Sequence, residues 1–260
     1  MTFTEPIKRV DGFTRNGKPT HWYEDADGTR IPGVTTLIGD GLPKPALVGW
    51  GIKSVAEYAV DNWDDLHDLP PTDQLKRLKG APYADRDKAA RRGTEVHAIA
   101  EDLAWGRPAE VPPELDGHVR SYLDFLDTWE PVPVVTESVV YNLDVGYAGS
   151  LDMIADVAGE RWLLDVKTTR SGVYGDTAFQ LAAYRHASRM LAAEDMMPVD
   201  MIEVDRCGVI HVTATGYALV PVKADLDVFD EFLSIRQVAI ASKSSRGYVG
   251  QPLERQAVEV

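Results

Sequence analysis

The chain has 260 residues, of which 44% are hydrophobic and 26% are charged, so it is long enough for one large or two small globular domains. Its net charge of −14 argues against non-specific nucleic-acid binding over a broad basic face, but a small cationic track can still contact phosphates. The single cysteine, Cys207, excludes an intramolecular disulfide and any multi-cysteine metal site. Neither a membrane span nor a signal-peptide core is recognisable, so we expect a cytoplasmic protein without membrane contact.

The first half of the chain is predicted to be a β-hairpin followed by helices. Residues 20–38 indicate a hairpin, with a strand at 21–23, a turn at 25–28 and a return strand at 29–31, leading into a buried turn. Apolar residues at helical spacing predict helices over 46–63, 83–105 and 114–129. A polar stretch that contains prolines separates the first two helices.

The second half is predicted to alternate strands and helices. An antiparallel meander is expected first, then a helix, two strands joined by a turn at Gly208, and a final helix. The expected ranges are 132–141, 147–157 and 161–168 for the meander, 176–194 for the helix, 200–206 and 209–220 for the two strands, and 225–241 for the last helix. This order predicts an α/β fold with a mixed sheet flanked by helices. We expect an N-terminal region at 1–130, a core at 131–243 and a polar tail at 244–260.

Two aspartates and a lysine on neighbouring predicted strands indicate phosphodiester chemistry. Asp165 and Lys167 are two residues apart, so they share a face of their strand, and Asp152 lies on the adjacent strand. Paired carboxylates bind hard divalent cations, which stabilise a phosphate under attack, and a desolvated lysine beside them is expected to have a lowered pKa and to orient or deprotonate water. For Asp165 and Lys167 alone, a salt-bridged pair on an edge strand is the simpler interpretation.

Helical spacing places two further pairs on single faces. Gln180 and Tyr184 are four residues apart, as are His97 and Glu101. Tyr184 could equally be a core aromatic, and a lone helical histidine is commonly structural. Arg92, with its neighbour Arg91, is a candidate phosphate contact, with a solvated surface position as the default.

Together these residues resemble the RecB-like branch of the PD-(D/E)XK nuclease superfamily, which includes phage and CRISPR-associated exonucleases. The resemblance rests on four motifs in order, namely Gly93-x-x-x-His97, Gly149-x-x-Asp152, Asp165-x-Lys167 and Gln180-x-x-x-Tyr184. Residues 31–38 also resemble the N-terminal part of phage members. The resemblance implies a restriction-endonuclease-like core with an N-terminal helical addition that contributes His97.

The resemblance also implies roles for individual residues. Mg²⁺ or Mn²⁺ would be held by His97, Asp152, Asp165 and the backbone carbonyl of Val166. Catalysis would depend on Asp152, Asp165 and Lys167. Substrate binding or bracing of the lysine would fall to Gln180, Tyr184 and Thr168. Glu137 matches an acid that is common on the first strand of the family, although a solvated strand glutamate is as good an interpretation.

The expected protein is a metal-dependent deoxyribonuclease, by preference an exonuclease of phage or bacterial DNA metabolism. It lacks the cysteines for an iron–sulfur cluster and a Walker loop for a nucleotide cofactor. Its partner would be DNA, single-stranded or with free ends, and a homo-oligomer or a recombination partner protein is open. If the protein is phage-encoded, it would act in the host cytoplasm. The alternatives are an endonuclease with the same chemistry and a catalytically silent DNA-binding subunit.

Overall fold

A computed structural model describes residues 4–15, 17, 19–192 and 196–252, and it has a mixed α/β architecture with two sheets. The strands are β1 Lys8–Phe13, β2 Pro19–Glu24, β3 Arg30–Ile31, β4 Val132–Asn142, β5 Tyr147–Val157, β6 Glu160–Lys167, β7 Arg189–Leu191, β8 Pro198–Asp200, β9 Arg206–Thr213 and β10 Gly216–Val222. The helices are α1 Val34–Gly41, α2 Pro45–Asp61, α3 Trp63–His67, α4 Pro71–Ala104, α5 Asp116–Trp129, α6 Asp176–Arg185 and α7 Leu226–Ser244. Two short 3₁₀ helices cover Pro113–Leu115 and Ser245–Gly247.

The larger sheet has seven strands in the order β10-β9-β6-β5-β4-β7-β8. Within the described residues, β6 and β9 are the one parallel pair of this sheet. The predicted meander of β4, β5 and β6 is confirmed. Ala158 and Gly159 link β5 to β6 with φ of 51° and 82°, the left-handed conformation that a two-residue hairpin turn requires.

Helices cover both faces of the large sheet, which confirms the predicted mixed sheet flanked by helices. One core contains Leu163 of β6 together with residues of α1, α6 and α7, including Phe232. The other contains Leu164 of β6 with residues of α4 and α5, including Phe125. Since successive strand residues point to opposite faces, neighbouring leucines stabilise opposite layers. No helix in the described part of the chain is long and apolar enough to cross a membrane.

The N-terminal sheet, in the order β1-β2-β3, packs against the large sheet. Tyr23 and Ile31 share a core cluster with Val139 of β4 and Ala148 of β5. The amide of Ala148 donates a hydrogen bond of 3.0 Å to the carbonyl of Pro32. The predicted hairpin is therefore confirmed and is anchored at the start of β5. The additional strand β1 and the helix α1, which replaces the expected buried turn, were not predicted.

Three predicted boundaries are wrong. The helix expected from residue 83 begins at Pro71 and continues through Pro82, which forgoes one hydrogen bond without ending the helix. The helix expected over 176–194 ends at Arg185, because the chain turns to pair β7 with the edge of β4; residues 193–194 lie outside the described residues. The strands expected over 200–206 and 209–220 are also misplaced, because residues 201–205 are in no strand and the turn between β9 and β10 falls at 214–215. Gly208, the expected turn, lies inside β9, where a Cβ would come within 3.0 Å of the Trp162 ring.

Other predictions hold within a few residues. The expected helices 46–63, 114–129 and 225–241 correspond to α2, α5 and α7. Pro45 begins α2 in the position that a helix tolerates, and Asp225 caps α7 by accepting a hydrogen bond of 3.3 Å from the Val228 amide. Of the predicted tail, residues 253–260 lie outside the described part of the chain. The division into regions 1–130, 131–243 and 244–260 stays a prediction.

Candidate active site

The two aspartates lie where the ladder between β5 and β6 ends. The last regular pair joins Met153 to Leu164, so the same register would place Asp152 opposite Asp165. Instead of a further ladder bond, the Val166 amide donates a hydrogen bond of 2.7 Å to Oδ2 of Asp152. The carboxylate therefore takes a backbone donor at a point where the sheet opens. This hydrogen bond also fixes the orientation of Asp152.

His97, on α4, lies beside Asp152. The distance from His97 Nδ1 to Asp152 Oδ2 is 3.3 Å. Burial lowers the pKa of His97, but the charges of Asp152 and Asp165 outweigh it and raise the pKa to about 9. Burial alone would raise the pKa of Asp152. The charges of His97 and Lys167 and the hydrogen bond from the Val166 amide nevertheless hold this pKa below its usual value. The two side chains form an ion pair.

Asp165 is nearly inaccessible, with 2% of its surface exposed, and is contacted by Lys167 and Gln180. Its Oδ1 accepts hydrogen bonds of 2.9 Å from Lys167 Nζ and 2.8 Å from Gln180 Nε2. Burial and the charge of Asp152 raise the pKa of Asp165 above its usual range. Burial lowers the pKa of Lys167, but Asp165 and Asp152 raise it more, so its pKa lies above the usual value. The lowered pKa that we expected for Lys167 is therefore wrong, because the two carboxylates outweigh burial.

Glu137 has a strained backbone at the point where β4 passes the two aspartates. Its φ is 48°, in the left-handed region that residues other than glycine rarely adopt. Such strain costs about 1–3 kcal/mol and is concentrated at functional sites. Burial, and next the charge of Asp152, raise the pKa of Glu137 to about 7. Hence Glu137 is held beside Asp152 at an energetic cost, while its side chain stays partly accessible.

The donor set fits a divalent cation. Ligand atoms of His97, Glu137 and Asp152 all lie within 4.8 Å of one another. An octahedral ion with bonds of about 2.1 Å separates opposite ligand atoms by about 4.2 Å, so small side-chain rotations would close this group around one ion. Asp165 is not in the group, and its buried Oδ2 lies 2.8 Å from Lys167 Nζ. Since carboxylate oxygens are preferred Mg²⁺ ligands, this oxygen can bind a cation in place of the lysine ammonium.

The site opens into a cleft with a volume of about 600 Å³. Its floor carries His97, Asp152, Asp165 and Lys167, and one wall is made by Gly93 and other residues of α4. The opposite walls come from the N-terminal sheet and α1; their side chains, which the sequence interpretation missed, are Arg9, Asp11, His21, Tyr23, Val34 and Thr35. Only the resemblance of residues 31–38 to phage nucleases hinted at this wall. The cleft is large enough for a nucleotide-sized ligand.

The remaining predicted residues occupy different positions around the cleft. Tyr184 is buried at the cleft edge, with its hydroxyl 3.5 Å from Gln180 Nε2 and its ring against Gly149, where no Cβ would fit. Thr168 is buried, close to Gly93 on α4. Glu101 also lines the cleft. Tyr184 therefore combines the expected position beside Gln180 with the packing of a core residue.

Glu101 and Arg92 differ in their access to the cleft. Thr136 Oγ1 donates a hydrogen bond of 3.2 Å to Oε1 of Glu101, and Arg107 lies 3.7 Å from the same oxygen. Arg92 does not line the cleft; its charge, after burial, lowers the pKa of His118, and its Nε is buried without a hydrogen-bond partner in the described residues. A phosphate contact by Arg92 therefore stays a prediction that the cleft geometry does not support.

Comparison with known proteins adds no assignment to this geometry. Neither a model of a known protein family nor a curated protein matches this sequence.

Proposed function

We propose that this protein is a metal-dependent DNA nuclease that hydrolyses phosphodiester bonds. The observation that carries the proposal is one cluster at the open end of the β5–β6 ladder. There Asp152 contacts His97, while Asp165 contacts both Lys167 and Gln180. The order of these residues in the chain resembles the RecB-like branch of the PD-(D/E)XK superfamily. The mixed sheet flanked by helices is compatible with the restriction-endonuclease-like core of that superfamily.

The residues of the cleft divide the work of hydrolysis. His97, Asp152 and Asp165 would hold Mg²⁺ or Mn²⁺, and Glu137 is placed to join them. When bound, the cation would supply positive charge that stabilises the phosphate under attack and makes a nearby water more acidic. Lys167 would donate a hydrogen bond to the attacking water or to a phosphate oxygen, since its ammonium group already lies at the cleft floor.

Gln180 holds this arrangement in place. It donates to the same Asp165 oxygen that accepts from Lys167, so its amide fixes the carboxylate relative to the lysine. Cleavage depends on such positioning, because misplacement of a catalytic group by about 1 Å can cost a factor of about 100 in rate. Tyr184 packs behind Gln180, and Thr168 packs between β6 and α4.

The test is digestion of end-labelled single- and double-stranded oligonucleotides and of circular single-stranded DNA, with Mg²⁺, with Mn²⁺ and with a chelator. Cleavage that needs the metal and that Asp152→Asn abolishes supports the proposal. The exonuclease mode predicts degradation of linear DNA while circles persist, whereas equal rates on both would assign an endonuclease. No cleavage of any substrate with either metal would contradict the proposal and favour a silent DNA-binding subunit.

A further inference from the structure

Positive charge is concentrated on the part of α4 that precedes His97. Residues 76–92 contain seven of the 27 lysines and arginines and only two acids, Asp85 and Asp87, so seven minus two gives a net charge of +5. The chain as a whole carries −14. This helix segment is therefore a local exception to an acidic molecule. An acidic protein that binds a polyanion needs such a cationic track.

Part of this charge forms a stripe that leads into the cleft. The stripe residues Lys76, Lys79, Tyr83 and Arg86 follow one another at intervals of three, four and three, and all four are exposed. The same spacing of four and three residues continues to Ala90, Gly93 and His97. Of these, Gly93 and His97 line the cleft. At about 100° per residue, these seven positions fall within an arc of roughly 100° on one side of α4. The stripe therefore runs over about 32 Å to the candidate active site.

The other side of α4 is occupied by packing. Gln74, Leu78, Ala81 and Ala89 are partly buried, and α4 packs on α2. The stripe thus faces away from the buried side of its own helix and remains accessible. Exposed long side chains in this position are free to contact a ligand that enters the cleft.

An aromatic ring and a guanidinium group occur together in the stripe. Tyr83 is 53% exposed, and the Arg86 guanidinium lies over its ring, 4.8 Å from the centroid. Arg86 also pairs with Asp87 at 2.9 Å, a solvated contact that a phosphate can replace. An exposed tyrosine next to an arginine offers a stacking surface for an unpaired base and a cation for its phosphate.

We propose that the stripe binds the single strand whose phosphodiester bond lies in the cleft, with Tyr83 stacking on a base and Lys76, Lys79 and Arg86 contacting phosphates. This inference rests on the proposed nuclease function and specifies its substrate. A paired base hides its faces in the duplex stack and offers no surface to Tyr83. The preferred substrate is therefore DNA that is unpaired over the length of the stripe.

A matched pair of double variants tests the stripe. Lys79→Ala/Arg86→Ala removes two charges from the stripe, whereas Arg77→Ala/Lys88→Ala removes two exposed charges from other sides of the same helix segment. Binding of fluorescein-labelled oligothymidylate and of a blunt duplex is measured by anisotropy at several salt concentrations in a chelator, which prevents cleavage. Thermal unfolding of both variants verifies that α4 remains folded.

The stripe variant is expected to bind the single strand at least about five-fold more weakly. The slope of log K against log salt should fall by about 1.4, because each phosphate contact on a single strand contributes about 0.7. The control should bind within about two-fold of the wild type. Tyr83→Leu should weaken single-strand binding without changing the salt slope, since stacking releases no counterions.

Equal binding by the two double variants, or tighter binding of the duplex than of the single strand by the wild type, would overturn the inference. These outcomes are distinct from failure of the nuclease proposal. If the wild type binds single strands through the stripe but cuts none when Mg²⁺ or Mn²⁺ is added, the stripe stands and the nuclease function falls. If the wild type binds no DNA at all, the inference falls with it.

Discussion

The closest packing around the candidate site lies between Gly149 and Tyr184, and it predicts the effect of a single methyl group. A Cβ at residue 149 would lie 2.3 Å from Tyr184 Cε1 and 3.0 Å from Cζ. Carbon atoms pack at about 3.5–4.0 Å, so the ring would have to move by more than about 1 Å. Tyr184 is buried among core residues and has little room to do so. Overpacking of this kind costs about 1–3 kcal/mol.

Gly149→Ala is therefore expected to lower the midpoint of thermal unfolding by about 2–12 °C, since about 1 kcal/mol corresponds to about 2–4 °C in a chain of this size. Gly93→Ala is the matched control, because it changes the glycine of another motif in the same cleft. Its Cβ would meet only Thr168 Oγ1, at 3.7 Å, an ordinary contact. Gly93 is also inside α4, where alanine favours the helix by about 1 kcal/mol. Gly93→Ala should raise the midpoint by about 2–4 °C.

Differential scanning calorimetry of these two variants, of Tyr184→Leu and of Gly149→Ala/Tyr184→Leu separates the cause. A smaller side chain at 184 leaves space for the new methyl group, so the double variant should be less destabilised than the sum of its two single changes. Unchanged stability of Gly149→Ala, or strict additivity in the double variant, would refute the clash.

Two further predictions concern pH and thiol chemistry. In a chelator, raised pKa values of Glu137, about 7, and of His97, about 9, mean that the folded state binds protons more tightly than the unfolded chain. These stabilising protons are lost as pH rises, so the midpoint of thermal unfolding should fall between about pH 4.5 and 9. Glu137→Gln should flatten the decline below about pH 7. A midpoint that rises over this range would contradict the raised pKa values. Added Mn²⁺ should stabilise the protein more at pH 8 than at pH 6, because ligands bind as deprotonated groups, and equal stabilisation would count against these ligands. Cys207 is 3% exposed, and burial raises the pKa of its thiol to about 11. A thiol reagent should therefore label it only after unfolding. Rapid labelling of the native protein would show that β9 opens.

The strands that carry the acids could be predicted because their sequence agrees with their structure at every level. Residues 132–168 are rich in β-branched and aromatic residues between short turn signals, and pairing consecutive strands brings Asp152 beside Asp165 without long-range information. The contact between Lys167 and Asp165 follows from the strand period alone. The resemblance to nucleases was needed to bring His97 to this group, because no local rule relates α4 to the sheet.

Other features depend on tertiary contacts that sequence patterns do not contain. Met190 and Leu191 fit a helix or a strand, and only pairing with the edge of β4 decides between them. A glycine such as Gly208 commonly marks a turn. In this strand it is needed instead because the Trp162 ring leaves no room for a side chain. The left-handed backbone of Glu137 and the cleft wall formed by β1 and β2 likewise depend on packing between distant segments.

In the proposed mechanism, one group of side chains binds the cation and another acts on the water and the phosphate. Isothermal titration calorimetry with Mn²⁺ and single-turnover cleavage of a single-stranded oligonucleotide, run in parallel on Asp152→Asn and Lys167→Ala, test it directly. Asp152→Asn should lose both metal binding and cleavage, because Asp152 contacts His97 and lies in the ligand group. Lys167→Ala should bind Mn²⁺ with an affinity near that of the wild type and lose cleavage. Cleavage by Lys167→Ala at the wild-type rate, or unchanged Mn²⁺ binding by Asp152→Asn, would contradict this mechanism.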